Sequence, residues 1–124
     1  MPQAKVLLVE DEGLIRMMVA EFLQDEGFDV AEAWDGDEAV RLLEGPDEFH
    51  ILFTDVQMPG SRDGVDVAVH ARRLYPSIPI LIVSGYATAL VSRISVLDPA
   101  ALFMSKPYRL WEVGSALHGM RATP

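Results

Sequence analysis

The feature that most constrains this chain is a rhythm. Short, unbroken apolar runs alternate with longer stretches whose apolar residues recur three and four apart. The first run is Lys5-Val6-Leu7-Leu8-Val9, and acids end it at once. A strand with one wet face alternates apolar with polar residues, so a run that is apolar throughout reads as a strand buried on both faces of a parallel sheet. From Gly13 to Gly27 the apolar residues are Leu14, Ile15, Met18, Val19, Phe22 and Leu23, which is helical spacing closed by a glycine. Phe28 to Ala33 follows as a second strand, and Asp35-Gly36-Asp37 forms a turn capping a short helix to about Glu44. His50-Ile51-Leu52-Phe53-Thr54 is a third run, ended by Asp55. Beyond it lie the turn formers Met58-Pro59-Gly60-Ser61-Arg62-Asp63-Gly64, a helix over Val65 to Leu74, and a fourth strand over Ile78 to Val83. Pro79 is tolerated at the start of that strand. A short helix near Thr88 to Ile94, a fifth strand over Ala101 to Met104 and a last helix over Leu110 to Met120 complete the pattern, with Leu110, Val113 and Leu117 inward.

Five strands alternating with five helices predict an α/β fold, a parallel sheet with helices on both faces. Ligands of such sheets sit outside the carboxyl ends of the strands, where strand order reverses. That rule singles out the residues ending each run: Glu10 and Asp11, then Asp55, Ser84 and Lys106. Three carboxylates at one sheet edge repel one another and raise each other's pKa values. A hard divalent cation relieves that repulsion, and carboxylates, carbonyls and water are what Mg²⁺ accepts. Lys106 adds a cation and Ser84 a hydroxyl donor. A carboxylate nucleophile, a metal, a cation and a hydroxyl are the parts that phosphoryl transfer needs, since its catalysis is mostly positioning and charge neutralisation.

Composition narrows the remaining classes. A chain of 124 residues is near the common size of one domain and can bury a core without staples. It has no cysteine, which excludes disulfides and thiolate metal sites. The net charge of −9, with Arg41 and Arg72-Arg73 scattered, opposes nucleic-acid binding. The start, MPQAKVLLVEDE, is no signal peptide, and no apolar run approaches a membrane span, so the cytoplasm is the expected location.

The motifs Val9-Glu10-Asp11-Glu12, Thr54-Asp55-Val56-Gln57-Met58-Pro59, Ser84-Gly85 and Ser105-Lys106-Pro107 occur in this order from end to end of the chain. Together they resemble the response-regulator receiver domain of two-component signalling. The resemblance implies a flavodoxin-like fold with strand order 2-1-3-4-5. It implies that Asp55 accepts the phosphoryl group, that Asp11 binds Mg²⁺ directly and Glu10 through water, and that the backbone carbonyl of Gln57 is the remaining protein ligand. Ser84 would hydrogen-bond the phosphoryl group and Lys106 would pair with it. The Lys106-Pro107 bond would be cis, and Phe103 would be the switch aromatic that moves when Ser84 is drawn inward. The expected partners are a sensor histidine kinase or histidine phosphotransfer protein, a downstream protein, and a second copy through the helix 4, strand 5 and helix 5 surface. Neither nucleic acid nor membrane is expected. With the chain ending at Pro124, the expectation is one receiver domain over 1–124, core about 5–120, with no output domain, either stand-alone or cut from a hybrid kinase or longer regulator. The chain would be a switch with weak activity toward its own phosphorylation and dephosphorylation.

It departs from the family pattern in places. Glu10 replaces the commoner aspartate, Ser84 the commoner threonine, and the loop after Asp55 carries one extra residue. Phe103 lacks the hydroxyl of a tyrosine. Taken singly, each residue has a plainer reading: Asp55 as a helix cap, Glu10-Asp11 as a solvated loop, Lys106 as a surface lysine, Tyr86 as an exposed loop aromatic rather than a gate. Tyr108, Leu110 and Trp111 read equally as core or as a partner-binding face. His50, His70 and His118 lack metal-ligand spacing. A haloacid-dehalogenase type phosphatase would place its nucleophile after the first strand in an Asp-x-Asp arrangement, whereas here the isolated acceptor follows the third. A docking module that is never phosphorylated would not need every acidic and lysine position filled.

Overall fold

A computed structural model describes residues 3–85 and 91–121. The strands are β1 (Lys5–Val9), β2 (Asp29–Ala33), β3 (Ile51–Asp55), β4 (Ile80–Ser84) and β5 (Leu102–Ser105). The helices are α1 (Gly13–Asp25), α2 (Gly36–Leu43), α3 (Gly64–Leu74), α4 (Val91–Ile94) and α5 (Leu110–Arg121). All strand pairings are parallel, in the order β2-β1-β3-β4-β5, so the fold is the flavodoxin-like one that the resemblance implies. The chain steps from β1 to one side for β2, then returns across β1 for β3. The strand order reverses there, and a crevice opens between the carboxyl ends of β1 and β3.

The unbroken apolar runs are the central strands. Every residue of β3 and β4 is buried, whereas the edge strands β2 and β5 carry exposed positions. Alternate side chains of each run feed two separate cores, as the two-residue strand period requires. Leu7, Val9, Leu52, Ile80 and Ile82 pack under α2 and α3, with Val65, Val67, Ala68 and Leu43. Val6, Leu8, Ile51, Phe53, Leu81 and Val83 pack under α1 and α5, with Val19, Leu23, Val113 and Leu117. Leu110 is half-buried against this second core.

Local signals stop the helices where the sequence suggests. Gly27 has φ +95°, and the Gly27 and Phe28 N–H groups donate to the carbonyls of Gln24 and Leu23 at 3.0 Å each. This closing pair needs a left-handed residue, which glycine supplies without strain. Asp35 caps α2 by accepting from the Glu38 N–H at 2.8 Å. Asp63 caps α3 by accepting from Val65 and Asp66, and Asp66 reaches back to the Asp63 N–H.

The apolar spacing of α1 marks a helix but not a buried face along its whole length: Leu14, Ile15 and Met18 are 73%, 37% and 53% exposed. Only Val19, Ala20 and Leu23 of this helix are buried. Ile15 and Met18 instead line an open groove. The part of the fourth helix expected before residue 91 falls outside the described residues, as does Tyr86.

The start of α3 lies directly against the strand that ends in Asp55. The Gly64 N–H donates to the Val56 carbonyl at 2.9 Å, and a Cβ on Gly64 would collide with the Asp55 carbonyl oxygen and lie 2.9 Å from the Val56 Cα. Gly64→Ala should therefore cost about 2 kcal/mol or more, because the obstruction is backbone and cannot rotate away. Urea unfolding measures this, and a loss within experimental error would contradict the packing.

Candidate functional site

The crevice gathers residues from four strand ends. Glu10 follows β1, its N–H bonded to the Ala33 carbonyl at 3.1 Å, and it is only 4% exposed. Asp11 lies half-buried in the bend before α1. Asp55 ends β3 and is also 4% exposed. One carboxylate oxygen from each of Glu10, Asp11 and Asp55 lies within 4.8 Å of the other two, a trio that could hold a metal ion. Lys106 follows β5, and its Nζ lies 2.5 Å from Asp55 Oδ2 and 4.0 Å from Glu10 Oε1. Its backbone N–H donates to the Ser84 carbonyl at 3.0 Å, which ties the end of β5 to the end of β4. Ser84 is fully buried and pairs in register with Ser105. The Thr54 hydroxyl donates to the Asp55 carbonyl at 2.8 Å and so steadies the strand end.

The other expected residues are more peripheral. Gln57 is exposed on the loop after β3. Phe103 is half-buried in β5 and packs against the core under α2 and α3. The Lys106–Pro107 peptide is cis, as the resemblance implies, and the Asp98–Pro99 peptide is cis as well. The loop after β3 is tied on two sides. Arg62 Nη1 pairs with Asp37 Oδ1 at 2.8 Å, and its backbone lies so close to Gly36 that a Cβ there would meet the Arg62 carbonyl oxygen at 2.5 Å. On the other side, Arg93 of α4 donates to both carboxylate oxygens of Asp63, at 2.7 and 3.0 Å.

The electrostatics follow from this crowding. Burial pushes the Glu10 carboxyl up to about 7, with Asp55 and Asp11 adding to the rise, while the Glu12 N–H and Lys106 oppose it. Burial lowers the Lys106 ammonium, but its hydrogen bond to Asp55 and the charges of Asp55, Glu10 and Glu12 win, and the net shift is upward. The Tyr108 phenol is pushed up to about 12 by burial and by the nearby Glu10 and Asp55 charges. Asp55 Oδ1 is buried with no hydrogen-bond partner among the described residues. A buried carboxylate oxygen in that state calls for a donor or a cation.

Sequence reasoning missed what borders this cluster. An open groove of about 480 Å³ runs from Glu10 and Lys106 between Ile15, Met18 and Val19 on one side and Pro107, Tyr108 and Leu110 on the other. The signal was present. Leu14, Ile15, Met17 and Met18 span more than one helix face, so part of the set had to face outward. Tyr108 packs edge-on against Phe53 with centroids 6.2 Å apart, whereas Trp111 stays 64% exposed.

Glu10 holds its proton more tightly folded than unfolded. Its contribution to stability is complete below the ordinary value of 4.5 and is lost as pH rises through about 7. The metal-free protein should lose stability in urea across that window, and Glu10→Gln should flatten the loss. A parent profile already flat between those pH values would contradict the buried, shifted carboxyl.

Comparison with known proteins agrees with this geometry. Residues 6–118 match the family model described as the response regulator receiver domain. The chain is 36% identical over 118 residues to the sensor kinase CckA of Brucella abortus, covering 94% of this chain but 12% of that kinase. It is 30% identical to the response regulator receiver protein CpdR of the same organism, covering 94% of this chain and 95% of CpdR. The crystal structure of the Vibrio cholerae chemotaxis protein CheY4 superposes with a TM-score of 0.84 at 30% identity, covering 96% of this chain and 99% of that one. With the match running through both apolar cores and all the strand ends that build the crevice, the chain belongs to the response regulator receiver domain family of two-component signalling.

Proposed function

We propose that this receiver domain takes a phosphoryl group from a histidine donor onto Asp55 and acts as a switch rather than as a turnover enzyme. One observation carries the reading: Asp55 stands buried at the reversal of strand order, with Lys106 Nζ at 2.5 Å on one oxygen and no hydrogen-bond partner among the described residues on the other. The all-carboxylate donor set of Glu10, Asp11 and Asp55 suits a small hard cation, and Asp11, Asp55 and the Gln57 carbonyl would hold Mg²⁺ with Glu10 reaching it through water. When bound, that ion supplies the positive charge that lets a carboxylate and a phosphoryl group approach.

The rest is the work of the chain. An Asp55 oxygen attacks phosphorus, the phosphorus–nitrogen bond to the donor imidazole breaks, and an acyl phosphate results. Lys106 remains beside the growing negative charge, and the Ser84 hydroxyl donates to a phosphoryl oxygen. Drawing Ser84 inward opens space that Phe103 takes, which changes the surface formed by α4, β5 and α5 where a downstream protein or a second copy would bind. The groove beside the site fits the donor's carrier. Ile15 and Met18 offer apolar contact next to Asp55, so a helix bearing a phosphohistidine can dock there with its imidazole over the crevice. A cytoplasmic location accords with such a partner.

Acetyl phosphate or beryllofluoride with Mg²⁺ tests the chemistry. The parent should gain one phosphoryl group by intact-mass analysis, and Asp55→Asn should gain none; a parent that stays unmodified would sink the reading. Phosphotransfer from a panel of histidine kinases tests the docking. Met18→Glu should slow transfer from the preferred kinase about tenfold or more while leaving uptake from acetyl phosphate nearly unchanged, because only the protein donor uses the groove. Equal slowing of both would assign Met18 to the chemistry instead.

A further inference from the structure

Glu10 and Asp11 occupy a turn, and a turn at the mouth of a cleft does not by itself hold two carboxylates in place. In this chain a side chain from the next helix turn holds it. Arg16 Nη1 donates to the Glu10 backbone carbonyl at 2.9 Å, and its Nε donates to Glu32 Oε1 at 3.2 Å. The same Glu10 residue is tied on its other side, its N–H donating to the Ala33 carbonyl at 3.1 Å. Its carboxylate oxygen Oε2 folds back to accept the Glu12 N–H at 3.0 Å. The peptide joining Glu10 to Asp11 is thus fixed through its carbonyl by Arg16, and the plane of that peptide sets the direction in which Asp11 leaves the chain.

Arg16 is built for this role. Its side chain is 19% exposed, so the guanidinium works against protein rather than water. Glu32 supplies the counter-charge from β2, which leaves the fork free to bond a neutral carbonyl. The contact that Arg16 makes with this turn is to the Glu10 backbone carbonyl, so its hold is on the peptide that carries Asp11.

We propose that Arg16, clamped by Glu32, is a positioning residue for divalent-cation binding, orienting Asp11 and Glu10 through the Glu10 carbonyl. The proposal rests on the reading that the acidic trio binds such a cation. Outer residues of this kind tune the affinity of a site without touching the ion.

Titration with Mn²⁺, followed by loss of the free-ion electron paramagnetic resonance signal, tests it on the full chain. Far-UV circular dichroism and urea unfolding are recorded without metal alongside. Arg16→Met should weaken Mn²⁺ binding about tenfold or more. Arg16→Lys should fail to restore it, since one ammonium cannot span both the carbonyl and Glu32. Glu32→Gln, at an exposed position, should keep the metal-free stability and still weaken binding by a smaller factor. If Arg16→Met lowers metal-free stability but leaves Mn²⁺ affinity within about twofold of the parent, the role is structural only and the proposal falls. It falls equally if Arg16→Lys and Glu32→Gln both bind like the parent. A parent chain that does not bind Mn²⁺, or that binds it as well after Asp11→Asn, overturns the cation reading itself, and this shows before any Arg16 variant is compared.

Discussion

Mutual repulsion among Glu10, Asp11 and Asp55 is the constraint around which the rest of this structure is arranged. Their oxygens lie within 4.8 Å of one another, and two of the three residues are almost fully buried. Such a cluster opposes folding unless positive charge is brought to it. Lys106 brings a positive charge against Asp55, and burial raises the Glu10 carboxyl toward its neutral form. That incomplete balance leaves a place for a further positive charge. A fully neutralised cluster would have no use for a metal ion, and a cluster without Lys106 would leave a buried carboxylate unpaired.

Holding this arrangement falls to parts of the protein with no chemistry of their own. Two apolar layers, one on each face of the sheet, bring β1, β3, β4 and β5 into register so that their ends align. Close backbone approaches then fix the loops. Gly64 lets α3 begin against Asp55 itself, and Gly36 lets the loop carrying Arg62 lie on the start of α2. Ion pairs of the loop with Asp37 and Arg93 are exposed and individually weak. Their value is directional: they tie the loop after Asp55 to α2 and α4.

The exposed apolar start of α1 changes how the site meets the outside. Ile15 and Met18 belong to a helix whose next turn is core, so one helix packs into the fold at one end and lines the groove at the other. Under the proposed phosphotransfer, the neighbouring groove is where a phosphodonor would bring its own surface to Asp55. The chain spans 12% of the sensor kinase it matches and nearly all of CpdR, so receiver domains of this kind occur both as parts of larger proteins and as most of a small one.

The sequence by itself determined the order of elements, because a wholly apolar run and a three-and-four spacing are local properties that survive without tertiary context. It also singled out Glu10, Asp11, Asp55 and Lys106 as residues that would meet, since they follow or end strand runs and parallel sheets gather such ends. It left open whether Leu14, Ile15 and Met18 are buried, because periodicity tells which residues share a helix face and not whether anything lies beneath that face. Only the tertiary structure decided that Lys106 bonds Asp55 across 51 positions of sequence, that Asp55 Oδ1 is left without a hydrogen-bond partner among the described residues, and that Arg16 reaches the Glu10 carbonyl. Each of these depends on distances between separate elements. The close packing of the two cores sets those distances, and no local pattern encodes them.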